Sequence, residues 1–297
     1  MSAGLPLVSV GVPVRNGAET LGMALDSIIA QTYTELEIIV SDNASDDDTG
    51  RIADEYACRD PRVRVVHQPI ALKMLENFEA TFRAATGRYL VWLAHDDLLQ
   101  PEFVERTVAA LECEPGAVLA FGTVDIFTDY ETFADRRRVD HRFATSGMPV
   151  WRRLVRERNS GWEVKGLIRR EALDGYRWWE HSVSPDWPLL THLQVVGDVI
   201  DVPGAELWVG YRAELKTTEE RAALQSYAGV ERFPLITLAW RSALAARDAG
   251  AKVGRRRLPA ADFILLLGGL LWASRGTLVS AAAWRARAQR LRASRPS

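Results

Sequence analysis

Along the first 120 residues the apolar positions change period repeatedly. Val8-Ser-Val-Gly-Val12 and Leu36-Glu-Ile-Ile-Val-Ser41 are short apolar runs rich in β-branched residues, the pattern of strands. Between them Leu21, Leu25, Ile28 and Ile29 recur on one stripe of a 3.6-residue period, which predicts a helix over residues 21 to 31. After a polar loop the same reading predicts a helix over 49 to 57, a strand over 63 to 66 and a helix over 75 to 85. Tyr89-Leu-Val-Trp-Leu93 is apolar at every position, so this strand is expected at the centre of a sheet, covered on both faces. Pro101 suits the first turn of a helix running through Leu111, and Ala117-Val-Leu-Ala-Phe121 makes a fifth strand. Strand and helix alternating in this way predict an α/β fold with a mainly parallel sheet flanked by helices.

Past Phe121 the rhythm weakens. Residues 122 to 160 are charged and are expected to form loops or irregular helix. Six of the ten tryptophans (Trp151, Trp162, Trp178, Trp179, Trp187, Trp208) then fall close together. A strand over 162 to 168, a helix over 186 to 196, and strands near 198 to 202 and 206 to 211 are expected to continue the sheet. From Thr218 the pattern is helical to the end, a C-terminal helical extension.

Composition narrows the class further. With 297 residues, 47% hydrophobic and 26% charged, the chain is globular by composition rather than disordered, collagen-like or coiled-coil, and long enough for one large or two modest domains. The net charge of −2 conceals an asymmetry: residues 251 to 297 carry ten basic side chains against the single acid Asp262, a tail of +9 on a body of −11. Cys58 and Cys113 have neither disulfide-scaffold nor zinc-site spacing, which suits a reducing, cytoplasmic setting. The N-terminus lacks a basic leader region, and the longest apolar run, 263 to 273, is too short to span a bilayer, so neither a signal peptide nor a spanning helix is expected.

In parallel α/β sheets ligands bind beyond the carboxyl ends of the strands, and three such loops carry the chemistry: Pro13-Val-Arg-Asn-Gly17, Ser41-Asp-Asn-Ala-Ser-Asp-Asp-Asp48 and Ala94-His-Asp-Asp97. Asp46, Asp47 and Asp48 are read as a helix start, with Ser45 or Asp46 capping and the acids complementing the helix dipole. Asp42 stands apart because it directly follows a buried strand. Asp96 and Asp97 concentrate negative charge at the end of an apolar strand, where hard oxygen ligands suit Mg²⁺ or Mn²⁺ together with substrate phosphates; the plain alternative is a helix cap or a solvated turn.

These loops, in order, resemble the family 2 glycosyltransferases of GT-A fold, inverting enzymes that use nucleotide-diphospho-sugars. The resemblance runs from Val8 to about Leu111 through five blocks: residues 8 to 17, 27 to 33, 37 to 46, 85 to 89 and 93 to 97. It implies a Rossmann-like GT-A sheet in which Asp42 bonds the nucleotide base beside Pro13, Arg15 and Asn16, Asp96 lies near the ribose and Asp97 is the metal ligand. Asn77 matches a family asparagine, with a polar helix face as the alternative. Ala94 departs from the family pattern, where many members carry a further aspartate, and so does Ile70, where a glycine is frequent. Asp186, in Ser184-Pro-Asp-Trp-Pro, fits the family's general base, with Glu180 and His181 in reserve and a helix cap as the bland reading. Trp162, Trp178 and Trp179 are candidates to stack on an acceptor sugar, against core filling.

The implied reading is a divalent-metal-dependent transferase (Mn²⁺ or Mg²⁺) with a UDP-sugar as the first expectation for donor and a sugar, lipid-linked or small-molecule hydroxyl as acceptor. Residues 1–120 would bind the nucleotide-sugar, 121–215 would receive the acceptor and 216–297 would form the basic helical extension. The extension is expected either to touch an anionic membrane surface peripherally or to pack on the body or a second copy. Nucleic acid is not an expected partner. The rival readings are a nucleotidyltransferase, which lacks here the glycine-rich, lysine-containing phosphate loop, and an inactive carbohydrate-binding scaffold. A dinucleotide oxidoreductase is disfavoured because no Gly-X-Gly-X-X-Gly follows a strand.

Overall fold

A computed structural model of the chain describes residues 4–139, 162–176, 178 and 186–210. Four parallel strands, β1 (Val8–Val14), β2 (Leu36–Asp42), β3 (Val63–His67) and β4 (Tyr89–Trp92), are joined by helices α1 (Leu21–Ile29), α2 (Thr49–Arg59) and α3 (Met74–Ala84). A two-residue strand β5 (Leu98–Leu99) and helix α4 (Phe103–Cys113) lead into β6 (Ala117–Phe127), with which β7 (Arg137–Arg138) pairs. After a 3₁₀ turn (Trp162–Lys165) come β8 (Leu167–Arg169), a second such turn (Arg170–Leu173), helix α5 (Asp186–Val196) and β9 (Asp198–Gly210). The sheet order is β3-β2-β1-β4-β8-β6-β9-β5. It is mixed, because β8 runs antiparallel to both β4 and β6, and β5 antiparallel to β9.

Period-two alternation decides which way each strand faces. In β4, Tyr89 and Val91 point with Leu93 into one core that also holds Leu21, Ala24, Leu25 and Ile28 of α1 and Phe103 and Val104 of α4. Leu90 and Trp92 point into a second core built with Phe78 and Phe82 of α3 and Leu189, Leu190 and Leu193 of α5. All four residues of β4 are buried, as an apolar run covered on both faces requires. Each helix therefore needs only one apolar stripe, and the charged residues of α2 and α4 are left to solvent.

The five strands expected before residue 122, which are β1 to β4 and β6, begin where the hydrophobic pattern places them, and the short β5 between them was not expected. The second half differs from expectation in three respects. β6 runs on to Phe127, and both Val124 and Phe127 in this continuation are buried. The two strands expected around Pro203-Gly204 are one strand, β9, whose register against β6 steps from Phe121↔Asp201 to Thr123↔Glu206 and so absorbs the Pro-Gly pair in a bulge. Residues 162 to 165 form a 3₁₀ turn, leaving only three residues for β8. Arg169 of β8 is buried and fixes this short strand by donating to the Ala117 carbonyl at 2.6 Å and to Tyr89 Oη at 3.0 Å. The expected C-terminal helical extension, with its basic tail, lies outside the described residues. Among the described residues no helix is long and apolar enough to cross a membrane.

Two positions give direct checks. At Gly122, where the register steps, a Cβ would sit 2.0 Å from the Ala205 carbonyl oxygen, so G122A is expected to destabilise the chain by about 1–3 kcal/mol through overpacking, read as a lowered denaturant midpoint. His67, the cross-strand neighbour of Asp42, lies with Nδ1 3.2 Å from Asp42 Oδ2 and with Nε2 3.0 Å from Asp54 Oδ1 on α2. The Asp54 contact foremost, and Asp42 behind it, raise the imidazole above its ordinary 6.5 against the opposing effect of burial. A raised histidine stabilises fully below the unfolded value and loses that contribution as pH climbs through the folded one. Melting temperature is thus expected to decline as pH rises above the ordinary histidine value of 6.5, and H67Q is expected to flatten that decline; an unaltered slope would contradict the pairing.

Candidate active site

The loops that follow β1, β2 and β4 are neighbours because their strands are, and side chains of the second loop clip them together. Asn16 and Ala44 both adopt left-handed backbone, with φ of 51° each, a conformation that asparagine tolerates and alanine seldom adopts. The Asn16 amide donates to Ser45 Oγ at 3.0 Å, and the Asp46 amide returns a bond to Asn16 Oδ1 at 3.1 Å. Gly17 N–H reaches Thr49 Oγ1 at 2.9 Å and Ala18 N–H reaches Asp47 Oδ2 at 3.1 Å. Asp47 also accepts from the backbone and hydroxyl of Thr49. Burial pushes its carboxyl up, but these bonds outweigh it and hold the group below the usual carboxylate range. Neither Ser45 nor Asp46 therefore caps α2 as expected; Asp47 serves its first turn, and Ser45 is turned to the neighbouring loop. The third loop joins through His95, whose Nδ1 lies 2.8 Å from Thr20 Oγ1 at the start of α1.

Asp42 ends β2 and is 6% exposed. Its Oδ1 accepts the Ser45 amide at 3.2 Å while Oδ2 faces His67. Pro13 is buried in β1 opposite Ser41, beyond the last β4 partner of that strand, so its missing N–H breaks no ladder between β1 and β4. Arg15 and Asn16 are exposed at the mouth of this loop. Asn77 is buried on α3 and clamps β2, its Nδ2 donating to the Ser41 carbonyl at 3.1 Å and its Oδ1 accepting the Ser41 hydroxyl at 2.6 Å.

Beyond β4 a turn closed by Asp97 N–H on the Ala94 carbonyl sets Asp96 half-buried and Asp97 1% exposed. Two groups from the second half of the chain reach Asp97. Gly210, the last residue of β9, donates its N–H to Oδ1 at 3.2 Å, and Lys165, at the end of the first 3₁₀ turn, places its ammonium on Oδ2. Burial, with Asp96 adding to it, lifts the Asp97 carboxyl to about 6, although Lys165 and the Gly210 amide pull the other way. Glycine is required at 210, because a Cβ there would lie 2.2 Å from the Asp96 carbonyl oxygen.

Strand direction places Asp186. β8 is antiparallel, so the turn that precedes it, with Lys165, lies at the carboxyl edge of β4. α5 ends where Gly197 N–H closes on Leu193 and Asp198 N–H bonds the Gly116 carbonyl, beside the first residue of β6, and so at the opposite edge. The helix therefore runs back along the sheet, and its first residue, Asp186, lies toward the edge of Asp42 and Asp97. α5 also packs on the turn carrying Lys165. Asp186 is half-buried and acts on Tyr176, whose phenol is raised far above its ordinary value by burial first and by that carboxylate second.

The aromatic candidates divide. Trp178 packs between Phe82, Trp92 and Tyr176 at centroid distances of 5.5, 6.0 and 5.3 Å, a core-filling position. Trp162 opens the 3₁₀ turn of Lys165. Trp179, Glu180 and His181 lie outside the described residues. Sequence reasoning missed Lys165, Gly210 and His95; only Gly210, a glycine closing an apolar strand, carried a local signal.

Divalent ions accept one or two protein carboxylates when phosphates complete the shell, and the hard oxygens of Asp96 and Asp97 fit that chemistry. Among the described residues no group of three or more His, Cys, Asp or Glu is arranged to hold a metal unaided.

Residues 9–176 match the sequence profile of glycosyl transferase family 2. A glycosyltransferase of Bacillus subtilis, EpsJ, is 30% identical over 57% of this chain and 50% of its own length. Chondroitin synthase of Escherichia coli is 36% identical over 34% of this chain and 15% of its own. The chain thus spans half or less of the length of these curated relatives. Among solved structures, residues 1–349 of S. aureus TarS in complex with UDP-GlcNAc superpose with a TM-score of 0.57 at 14% identity, covering 90% of this chain and 81% of that one. The mannosyltransferase PcManGT of Pyrobaculum calidifontis, in complex with GDP-Man and Mn²⁺, gives a TM-score of 0.51 at 19% identity over 94% and 75% of the two chains. With the family profile matching more than half of its residues and the GT-A sheet present, the chain belongs to glycosyl transferase family 2.

Proposed function

We propose that the carboxyl edge of β1, β2 and β4 binds a nucleotide-diphospho-sugar and transfers the sugar, with inversion, to an acceptor hydroxyl. The observation that carries this reading is the gathering of Asp42, the adjacent pair Asp96 and Asp97, and Asp186 from three separated stretches of chain toward one edge of one sheet. The nucleotide-sugars in the TarS and PcManGT complexes support a donor of this class, with UDP or GDP as its nucleotide.

In this mechanism Asp42, held by Ser45 and His67, receives the base beside Pro13, Arg15 and Asn16, and Asp96 meets the ribose. Asn77 contributes indirectly, by fixing Ser41 next to Asp42. Asp97, with Asp96, would hold a divalent cation, which when bound neutralises charge growing on the leaving diphosphate. Asp186 takes the proton of the acceptor hydroxyl as its oxygen bonds to the anomeric carbon; the bond from that carbon to the diphosphate breaks, and its electron pair leaves with the phosphate. Residues 1–120 are assigned to the donor and 121–215 to the acceptor, with Trp162 and Trp179 as the aromatic surfaces left to stack on a sugar. Trp178, packed between Phe82, Trp92 and Tyr176, is assigned to the core.

The test is nucleoside diphosphate release from UDP- and GDP-sugars with candidate acceptors, compared between wild type and D186N. The asparagine keeps the shape and removes the base, so transfer is expected to fall roughly 10²- to 10⁴-fold while donor affinity, followed by calorimetry, stays at the wild-type value. Undiminished transfer in D186N would remove the proposed base, and failure of every nucleotide-sugar to bind would remove the reading as a whole.

A further inference from the structure

The buried carboxylate that would receive a divalent cation already holds a cation. Lys165 comes from the turn before β8, 68 residues further along the chain, and its ammonium is 21% exposed against the 1% exposure of Asp97. Gly210 N–H takes the other oxygen. The adjacent acids Asp96 and Asp97 alone would present two negative charges; with Lys165 in place the cluster presents one, and Asp97 Oδ2 is covered. Position 94, two residues before the pair, is alanine and adds no compensating carboxylate. An ammonium has donors and no acceptor, so an anionic group is the partner best able to draw it off Asp97.

We propose that Lys165 is a built-in counter-cation that holds divalent metal off Asp97 until an anionic diphosphate accepts the ammonium. The lysine then opposes one ligand and attracts the other: metal and nucleotide bind weakly apart and well together. Its anchor is short and rigid, since the turn is fixed by β8 on one side and α5 on the other, so the exchange needs only the reach of the lysine side chain. The diphosphate half of this inference rests on the proposed function; the metal half rests on the ion pair alone.

Substitution at 165 separates the two. Free Mn²⁺, followed by its electron paramagnetic resonance without nucleotide, is expected to show affinity about tenfold or more higher in K165M than in wild type, the scale on which a neighbouring cation acts on a carboxylate. The gain is expected to vanish in the double variant K165M/D97N, which places the effect at Asp97. In EDTA, calorimetric affinity for UDP or GDP is expected to move the other way, falling about tenfold in K165M, with K165R near wild type for both ligands. Opposite shifts cannot come from a loosened fold, which weakens both, and thermal melts of K165M and K165Q identify the variant to use. Mn²⁺ affinity in the lysine-free variant equal to or below wild type overturns the inference. If wild type takes up no nucleoside diphosphate with or without Mn²⁺, the functional reading fails, and the Mn²⁺ comparison still decides the role of Lys165.

Discussion

One buried carboxylate joins the two halves of this molecule. Asp97 leaves water at the end of the most apolar strand, and a charge in that position is tolerable only with partners. Its partners come from the turn before β8 and from the final residue of β9, so the strands laid into the sheet after residue 160 are the ones that satisfy the acid made by the first hundred residues. The sheet order follows the same logic. β8 must lie beside β4 for Lys165 to arrive, and β9 must run parallel to β6 for its end to meet Asp97. The packing that completes the fold and the electrostatics that compose the site are therefore one arrangement.

The remaining geometry supports that edge. Asn16, Ser45, Asp47 and Thr49 lace the first two loops with hydrogen bonds, and His95 ties in the third. Such lacing orders exposed backbone that would otherwise cost conformational entropy when a ligand binds. It also accounts for the acid-rich stretch after β2 without assigning every carboxylate to a ligand: Asp47 and Asp48 belong to the loop and the helix, which leaves Asp42 as the acid facing His67 and the edge.

How much of this the sequence disclosed depended on the range of the interaction involved. Local periodicity located β1 through β4 and their helices, because an apolar stripe or run is a property of neighbouring residues, and helix α5 was legible from 186 to 196 for the same reason. β6 and β9 were cut short or divided because Gly122 and the Pro203-Gly204 pair look like strand breaks, whereas in the sheet they are the two sides of one register step. The carboxylates at strand ends were visible since chain position alone puts them at the ligand edge. Lys165 was not: a lone lysine between apolar residues reads as solvated, and only the antiparallel entry of β8 brings it to an acid 68 residues away. Asn77 and Trp178, which resemble ligand contacts in the sequence, turn out to hold Ser41 and the second core, where polar and aromatic side chains also have structural employment.

The central claim is that the three laced loops, the last of them carrying Asp97, and the turn of Lys165 together form the donor site. Amide hydrogen exchange of the full chain, with and without a saturating nucleoside diphosphate and Mn²⁺, tests it most directly. The account predicts that slowed exchange concentrates in residues 13–18, 42–49 and 94–98 and in the turn around Lys165. Protection confined to other surfaces, with these four segments exchanging as they do in the free protein, would contradict it.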